Sequence, residues 1–334
     1  MTRRVVTGIT TSGTPHLGNY AGAIRPAIAA SRELGVESFF FLADYHALIN
    51  TADPAQVRRS TLEIAAAWLA AGLDPDKLSF YRQSDIPEVL ELAWLLACVA
   101  NKGLLNRAHA YKAATERNAA AGAEPDAGVS MGLFTYPVLM AADILLIKAN
   151  SVPVGRDQVQ HIEMARDMAE RFNHRYGELL VLPEAAIDES VATLPGLDGR
   201  KMSKSYGNGI ALFASAPELR KRIFSIITDS RAPGEPKDAD GSALFRLYQA
   251  FATAEETAQM RNAFATGIAW GEAKQALFER IEATLAPMRS RYESLVADAG
   301  AIEKRLQQGA ARVRAMAMPF LGELRAAVGL SKRL

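Results

Sequence analysis

The chain has 334 residues, 49% of them hydrophobic and 22% charged, which is enough to bury a full core and longer than one domain usually runs, so two domains are expected. Lys and Arg total 38 against 37 Asp and Glu, a net charge of +1. That balance excludes attraction of the whole chain to a polyanion, gives no sign of a DNA partner, and requires any nucleic-acid site to be a local patch.

A single cysteine, Cys98, rules out an intrachain disulfide and any CxxC metal motif; its neighbours Leu95, Leu96, Ala97 and Val99 lead to the expectation of a small buried thiol. There is no run of about 18 apolar residues and no charged-then-apolar leader, so a cytoplasmic protein with no membrane partner is expected. In chain order, residues 4–9 read as a strand and 17–33 as a helix. The SFFFL run at 38–42 suits a strand buried on both faces, and a helix follows at 56–71. Residues 78–81 read as a third strand, and Pro87 opens a helix to about residue 108, where a missing N–H is tolerated. Residues 112–129, rich in Ala, Gly and Glu and weakly periodic, read as a partly mobile connection or insertion. Order returns at 134–147, and a helix follows at 157–172.

Beyond residue 182 the character changes. Residues 190–209 carry turn residues throughout, and after them only helical patterns occur, at 217–227, 242–252, 255–264, 272–296 and 302–328. The expected fold is α/β: a doubly wound, Rossmann-like parallel sheet in residues 1–189 with a helical insertion at about 85–130, a long loop at 190–210, and a helical region at 211–334 whose last helix packs back on the first domain.

Two motifs carry chemistry. Thr11-Ser12-Gly13-Thr14-Pro15-His16-Leu17-Gly18-Asn19 lies where the first strand ends and the first helix begins, the ligand-facing edge of an open parallel sheet, where backbone N–H groups can meet phosphate. Gly8, Gly13 and Gly18 do not make GxGxxG, and no GxxxxGK[ST] occurs, which argues against a nicotinamide dinucleotide site and a P-loop. Lys201-Met202-Ser203-Lys204-Ser205 lies in the long polar loop, and two lysines beside small hydroxyls can meet charge growing on phosphate oxygens. Alone, each motif is also compatible with a solvated loop. Together and in this order, HLGN and KMSKS resemble the two signatures of the class I aminoacyl-tRNA synthetases. Residues 43–47 (ADYHA), 135–145 (TYPVLMAADIL), 152–158 (VPVGRDQ) and 227–230 (ITDS) make the chain similar to the bacterial tryptophanyl-tRNA synthetases over nearly its full length.

The resemblance implies roles. Asp143 would accept the indole N–H of L-tryptophan, with Met140 packing on the ring; Tyr136 and Gln158 would hold the ammonium and carboxylate, and His46 and Gly8 would line the same pocket. A site built on a polar contact rejects an analogue lacking that group by up to about 10⁴–10⁵, far more than shape achieves. Thr10, Thr11, Ser12, Gly18, Asn19, Gly155, Arg156, Asp157, Val191 and the Lys201–Ser205 segment would contact ATP, with Asp157 on the ribose hydroxyls and Val191 by the adenine. His16, Asn19, Lys201 and Lys204 would act in catalysis, His16 as a hydrogen-bond donor to phosphate, together with amides near Gly18 and Mg²⁺. No protein-held metal site is implied. Two departures stand out: Arg156 replaces a usually acidic residue, and Thr10-Thr11-Ser12 replaces a Gln-Pro-Ser type turn. The resemblance further implies a homodimer and a helical region that reads the anticodon of tRNA(Trp), using basic patches such as 220–222, 312–314 and 332–333. Tyrosyl-tRNA synthetase is the rival enzyme, and a tryptophan- or ATP-binding paralogue without aminoacylation is the rival of a different class.

Overall fold

The computed structural model describes residues 2–11, 13–187, 194–203 and 206–330, apart from the side chain of Asp157. Five parallel strands form one sheet in the order β3-β2-β1-β4-β5: β1 (Arg3–Ile9), β2 (Val36–Leu42), β3 (Ser79–Arg82), β4 (Ser151–Pro153) and β5 (Glu184–Ala186). Because β4 returns to the far side of β1, the strand order reverses between these two, and a crevice opens outside their carboxyl ends.

Side-chain alternation on β2 builds both cores. Phe40 and Leu42 enter a cluster with Ile9, Leu17, Trp68 and Phe80, while Phe39 and Phe41 enter one with Val6, Leu92, Leu145 and Phe172. The first face is covered by a continuous helical stretch comprising α1 (Leu17–Asn19), a π turn (Tyr20–Ile24) and α2 (Arg25–Ala30), and by α4 (Pro54–Ala70). A short α3 (Asp44–Ala47) follows β2. The second face carries α5 (Glu88–Ala97), α8 (Met131–Leu146) and α9 (Val159–Tyr176), with α6 (Lys102–Leu105) and α7 (His109–Ala120) between α5 and α8.

After the sheet come α10 (Ala216–Phe224), α11 (Ala243–Phe251), α12 (Ala254–Ala265), α13 (Trp270–Ala297) and α14 (Ala299–Ala327). Their core is not separate: Leu219, Phe245, Leu277 and Ile281 belong to the same cluster as Ile9 and Phe40. Helix α14 lies along β3, so close that a Cβ on Gly309 would fall 1.8 Å from the Phe80 carbonyl oxygen. Arg82 pairs with Glu303 at 2.7 Å, and Arg314 with Glu88. The edge strand is thereby covered rather than left to pair with another chain.

Several expectations change. The helix expected from 87 to about 108 breaks after α5, where Asn101 is extended, and resumes as α6 and then α7. Residues 112–129, expected as a connection, contain most of α7; the turn after it is tied back by Asn118 Nδ2 to the carbonyls of Pro125 and Ala127 and by Tyr111 Oη to Asp126. Only Ala114 is buried on α7, so the helix leaves little apolar period to read. Cys98, expected as a buried thiol, is exposed, because α5 turns its Leu92, Leu95 and Leu96 face inward and leaves the opposite face outside. Strands β4 and β5 went unread because three residues cannot display an alternation.

Candidate active site

The segments that follow β1, β2, β3 and β4 converge on the carboxyl end of the sheet. They supply residues 10–11 and 13–19, 44–46, 83–85 and 155–158 respectively. At the first of these, His16 caps α1 reciprocally: its Nδ1 accepts the Asn19 N–H at 3.2 Å, and its own N–H donates to Asn19 Oδ1 at 3.0 Å. With Nδ1 an acceptor, the neutral ring carries its proton on Nε2. A Cβ on Gly18 would sit 3.0 Å from that ring, which explains the glycine. Thr11 is buried, and its Oγ1 has no partner among the described residues.

The lysine-bearing loop lies directly against this turn. The Leu17 N–H donates to Ile210 O at 2.9 Å, Leu212 N–H to Pro15 O at 2.9 Å, and Gly18 N–H to the Met202 thioether at 3.3 Å. The amides near Gly18, expected to face phosphate, are therefore engaged by the loop itself. The loop's anchor is Asn208, buried, with Oδ1 accepting from Ser203 N–H and Nδ2 donating to Asp198 and to the Lys201 carbonyl. The Asn208 amide and Arg200 beside Asp198 hold that carboxyl below its ordinary range. Met202 inserts into the first-face core, while the Lys201 side chain is exposed.

A second group of side chains lies along α8. Tyr136, Met140 and Asp143 fall at i, i+4 and i+7, one face of the helix. Asp143 is buried, and both its oxygens accept from Gln83 Nε2, at 2.9 and 2.8 Å; Oδ2 also lies 3.2 Å from His46 Nε2. Burial pushes the Asp143 carboxyl up, with Asp44 adding to this, while the bonds from His46 and Gln83 pull the other way. Tyr136 Oη meets His161 Nε2, and His161 Nδ1 lies 3.0 Å from Gln158 Oε1, so α8 and α9 share one polar chain. Burial pushes the Tyr136 hydroxyl up to about 12.

Residues 2–286 match the family of tRNA synthetases class I (W and Y). The tryptophan–tRNA ligase of Xanthomonas axonopodis pv. citri is 69% identical over 332 residues, covering 99% of this chain and 77% of the relative, and that of Pseudomonas aeruginosa is 64% identical over 333 residues, covering 99% and 74%. The crystal structure of tryptophanyl-tRNA synthetase from Campylobacter jejuni, complexed with ADP and tryptophan, superposes with a TM-score of 0.89 at 40% identity over 98% of this chain and all of that one. The chain belongs to the bacterial tryptophanyl-tRNA synthetases of class I.

In this chain the expected site residues that the structure describes form two groups. His16, Gly18, Asn19, Lys201, Met202 and Ser203 come together where β1 ends, with Thr10 and Thr11 just before them. Tyr136, Met140, Asp143, Gln158 and His46 gather between α8, α9 and α3. Gly8 lies at the end of β1, where a Cβ would press on the Phe41 ring at 2.9 Å. Gly155 and Arg156 are exposed beyond β4, at the start of a 3₁₀ turn (Arg156–Gln158). Ser12, Val191, Lys204, Ser205 and the Asp157 side chain lie outside the described residues. Three residues were missed: Gln83, His161 and Asn208. Position was the available signal, since Gln83 directly follows a parallel strand, His161 sits one turn past Gln158, and Asn208-Gly209 is a turn dipeptide. Of the basic patches, 312–314 is committed internally: Arg312 bonds the carbonyls of Pro75 and Leu78, and Arg314 bonds Glu88. Arg220, Lys221 and Arg222 are exposed, and 332–333 lie outside the described residues.

Proposed function

We propose that the chain is a tryptophan–tRNA ligase in which the turn after β1 and the 201–205 loop close on ATP while the α8 face binds tryptophan. The observation that carries this reading is the contact of Leu17 and Gly18 with Ile210 and Met202, two segments about 190 residues apart in sequence. The tryptophan carboxylate, already ionised, attacks the α-phosphorus and pyrophosphate leaves; a hydroxyl of the tRNA 3′-terminal ribose then takes the acyl group from the adenylate and AMP leaves. No general base is needed for the first step. The protein's part is alignment and charge stabilisation, with His16 Nε2 donating to phosphate and Lys201 and Lys204 meeting the leaving charge. A thioether is a weak acceptor, so a phosphate oxygen arriving at the Gly18 N–H displaces Met202 and draws on the loop as it does so. Thr10, Ser12, Gly155, Arg156, Asp157, Val191 and Ser205 complete the proposed nucleotide contacts, and the buried Thr11 hydroxyl gains a partner there.

Mg²⁺ is proposed to arrive on the nucleotide's phosphates. Among the described residues no group of three His, Cys, Asp or Glu could hold a metal ion. The tRNA anticodon is proposed to meet the helices beyond residue 211, with Arg220–Arg222 as the basic contact. A homodimer is proposed through α5, whose outer face presents Leu90 and Trp94, with Cys98 capping its end at the same helical spacing and Trp94 70% exposed. No helix of the described residues is long and apolar enough to cross a membrane, and a cytoplasmic location is proposed with the substrates. Amino-acid-dependent ATP–pyrophosphate exchange tests the reading: tryptophan alone is expected to stimulate it. Stimulation by tyrosine alone would make the chain a tyrosyl enzyme, and no exchange with any amino acid would make it a binding paralogue.

A further inference from the structure

The Asp143 carboxylate, which the proposed function sets against the indole, is held by a residue with no other evident task. Gln83 is fully buried in a 3₁₀ turn (Gln83–Asp85) directly after β3. Its Oε1 accepts the Tyr45 backbone N–H at 3.1 Å, which fixes the orientation of the amide: the oxygen faces Tyr45 and the NH₂ faces Asp143. That NH₂ lies 2.9 Å from Oδ1 and 2.8 Å from Oδ2, and His46 Nε2 lies 3.2 Å from Oδ2. Among the described residues Oδ2 thus has two neighbours able to donate and Oδ1 has one. An ionised carboxylate only accepts, with about four lone-pair sites, so the unused capacity lies chiefly at Oδ1. The turn holding Gln83 is itself pinned at three points: Arg82 to Asp85 and to Glu303 on α14, and Ser84 N–H to Asp44.

We propose that Gln83 is the positioning residue of amino-acid selection: anchored by Tyr45, its amide keeps Asp143 an acceptor and leaves Oδ1 as the point that reads a ring N–H. An amide neither gains nor loses a proton near neutrality, so this donor is constant with pH. The ionisable groups facing Asp143 are His46 and Asp44 from α3 and the buried Tyr81 from β3. Without the Gln83 donor, burial and the Asp44 charge act on the carboxyl with only His46 opposing them. The inference rests on the reading that Asp143 faces the indole.

The test is pyrophosphate exchange at pH 6–8 with tryptophan and with its benzothiophene analogue, in which sulfur replaces the ring N–H. The proteins are wild type, Gln83→Met and Gln83→Glu, with thermal melts to check folding. Gln83→Met is expected to raise KM for tryptophan about ten- to hundredfold, the range for a hydrogen bond to a charged group, with kcat within a few-fold. It is also expected to narrow the preference over the analogue and to make KM rise as pH falls. Gln83→Glu is expected to show the opposite pH trend, since a proton shared by the two carboxyl groups restores a donor at low pH; if Gln83→Met fails to fold, this trend decides alone. Wild-type KM, preference and pH profile in folded variants would overturn the role of Gln83 and leave the Asp143 reading intact. A wild-type enzyme that accepts the analogue as readily as tryptophan would overturn both.

Discussion

At the residue scale, Asp143 combines a structural cost with a proposed use. Burial holds its carboxyl above the ordinary value, so over the interval between the unfolded and folded pKa the native chain keeps a proton that the unfolded chain has lost. Stability from this group is therefore greatest below the ordinary carboxylate range and declines as pH rises through the raised folded value. Asp143→Asn removes that ionisation at nearly constant shape. Urea denaturation is expected to show the variant gaining on wild type as pH rises from the ordinary carboxylate range through the raised folded value, while exchange assays show KM for tryptophan raised about ten- to hundredfold. A variant that loses stability relative to wild type over that rise in pH would contradict the assignment. Asp143 was singled out by the family resemblance, and its neighbours Ala142 and Ile144 agree with it, since a lone carboxylate between them is poorly placed for solvation. Gln83 was not, because its meaning lies in two partners at positions 45 and 143.

At the element scale, α14 is fitted to β3 by the absence of one side chain. A Cβ at position 309 would meet the Phe80 carbonyl oxygen, carbon and nitrogen at 1.8, 2.6 and 3.0 Å, all backbone atoms of a paired strand that cannot turn aside. Gly309→Ala must therefore lift the helix, and the ion pairs of Arg82, Arg314 and Arg325 with Glu303, Glu88 and Glu91 go with it. A loss of about 1–3 kcal/mol or more is expected, the scale of overpacking, read as a lower urea midpoint with an unchanged slope. The helix was visible in its period, and its length was read to within three residues at the start. Its seat on β3 was not visible, since a glycine in a helical run signals only reduced propensity until the facing strand is known.

At the scale of the whole molecule, the sheet separates two cores and α14 joins them. Ile302 and Leu306 lie in the first-face cluster, and Val313, Phe320 and Leu324 lie in the second. The helical region is continuous with the sheet rather than hung from it. The α5 face is an apolar surface that this arrangement leaves uncovered among the described residues, and the proposed dimer rests on it. Trp94→Glu is expected to leave the fold intact and shift the species in sedimentation velocity from dimer to monomer. A variant that sediments as wild type would move the interface elsewhere.

Local information in the sequence determined the parallel α/β class, the helices beyond residue 211, and both motifs. Each of these depends on residues near one another along the chain: alternation in SFFFL, helical period, and the residue types of HLGN and KMSKS. Tertiary structure alone decided that Met202 lies on Gly18, that Gln83 and His46 converge on Asp143, and that Arg312 and Arg314 bind the protein itself. Those contacts join positions from tens to more than two hundred residues apart, and only the closing of sheet, crossover and helix brings their atoms within reach.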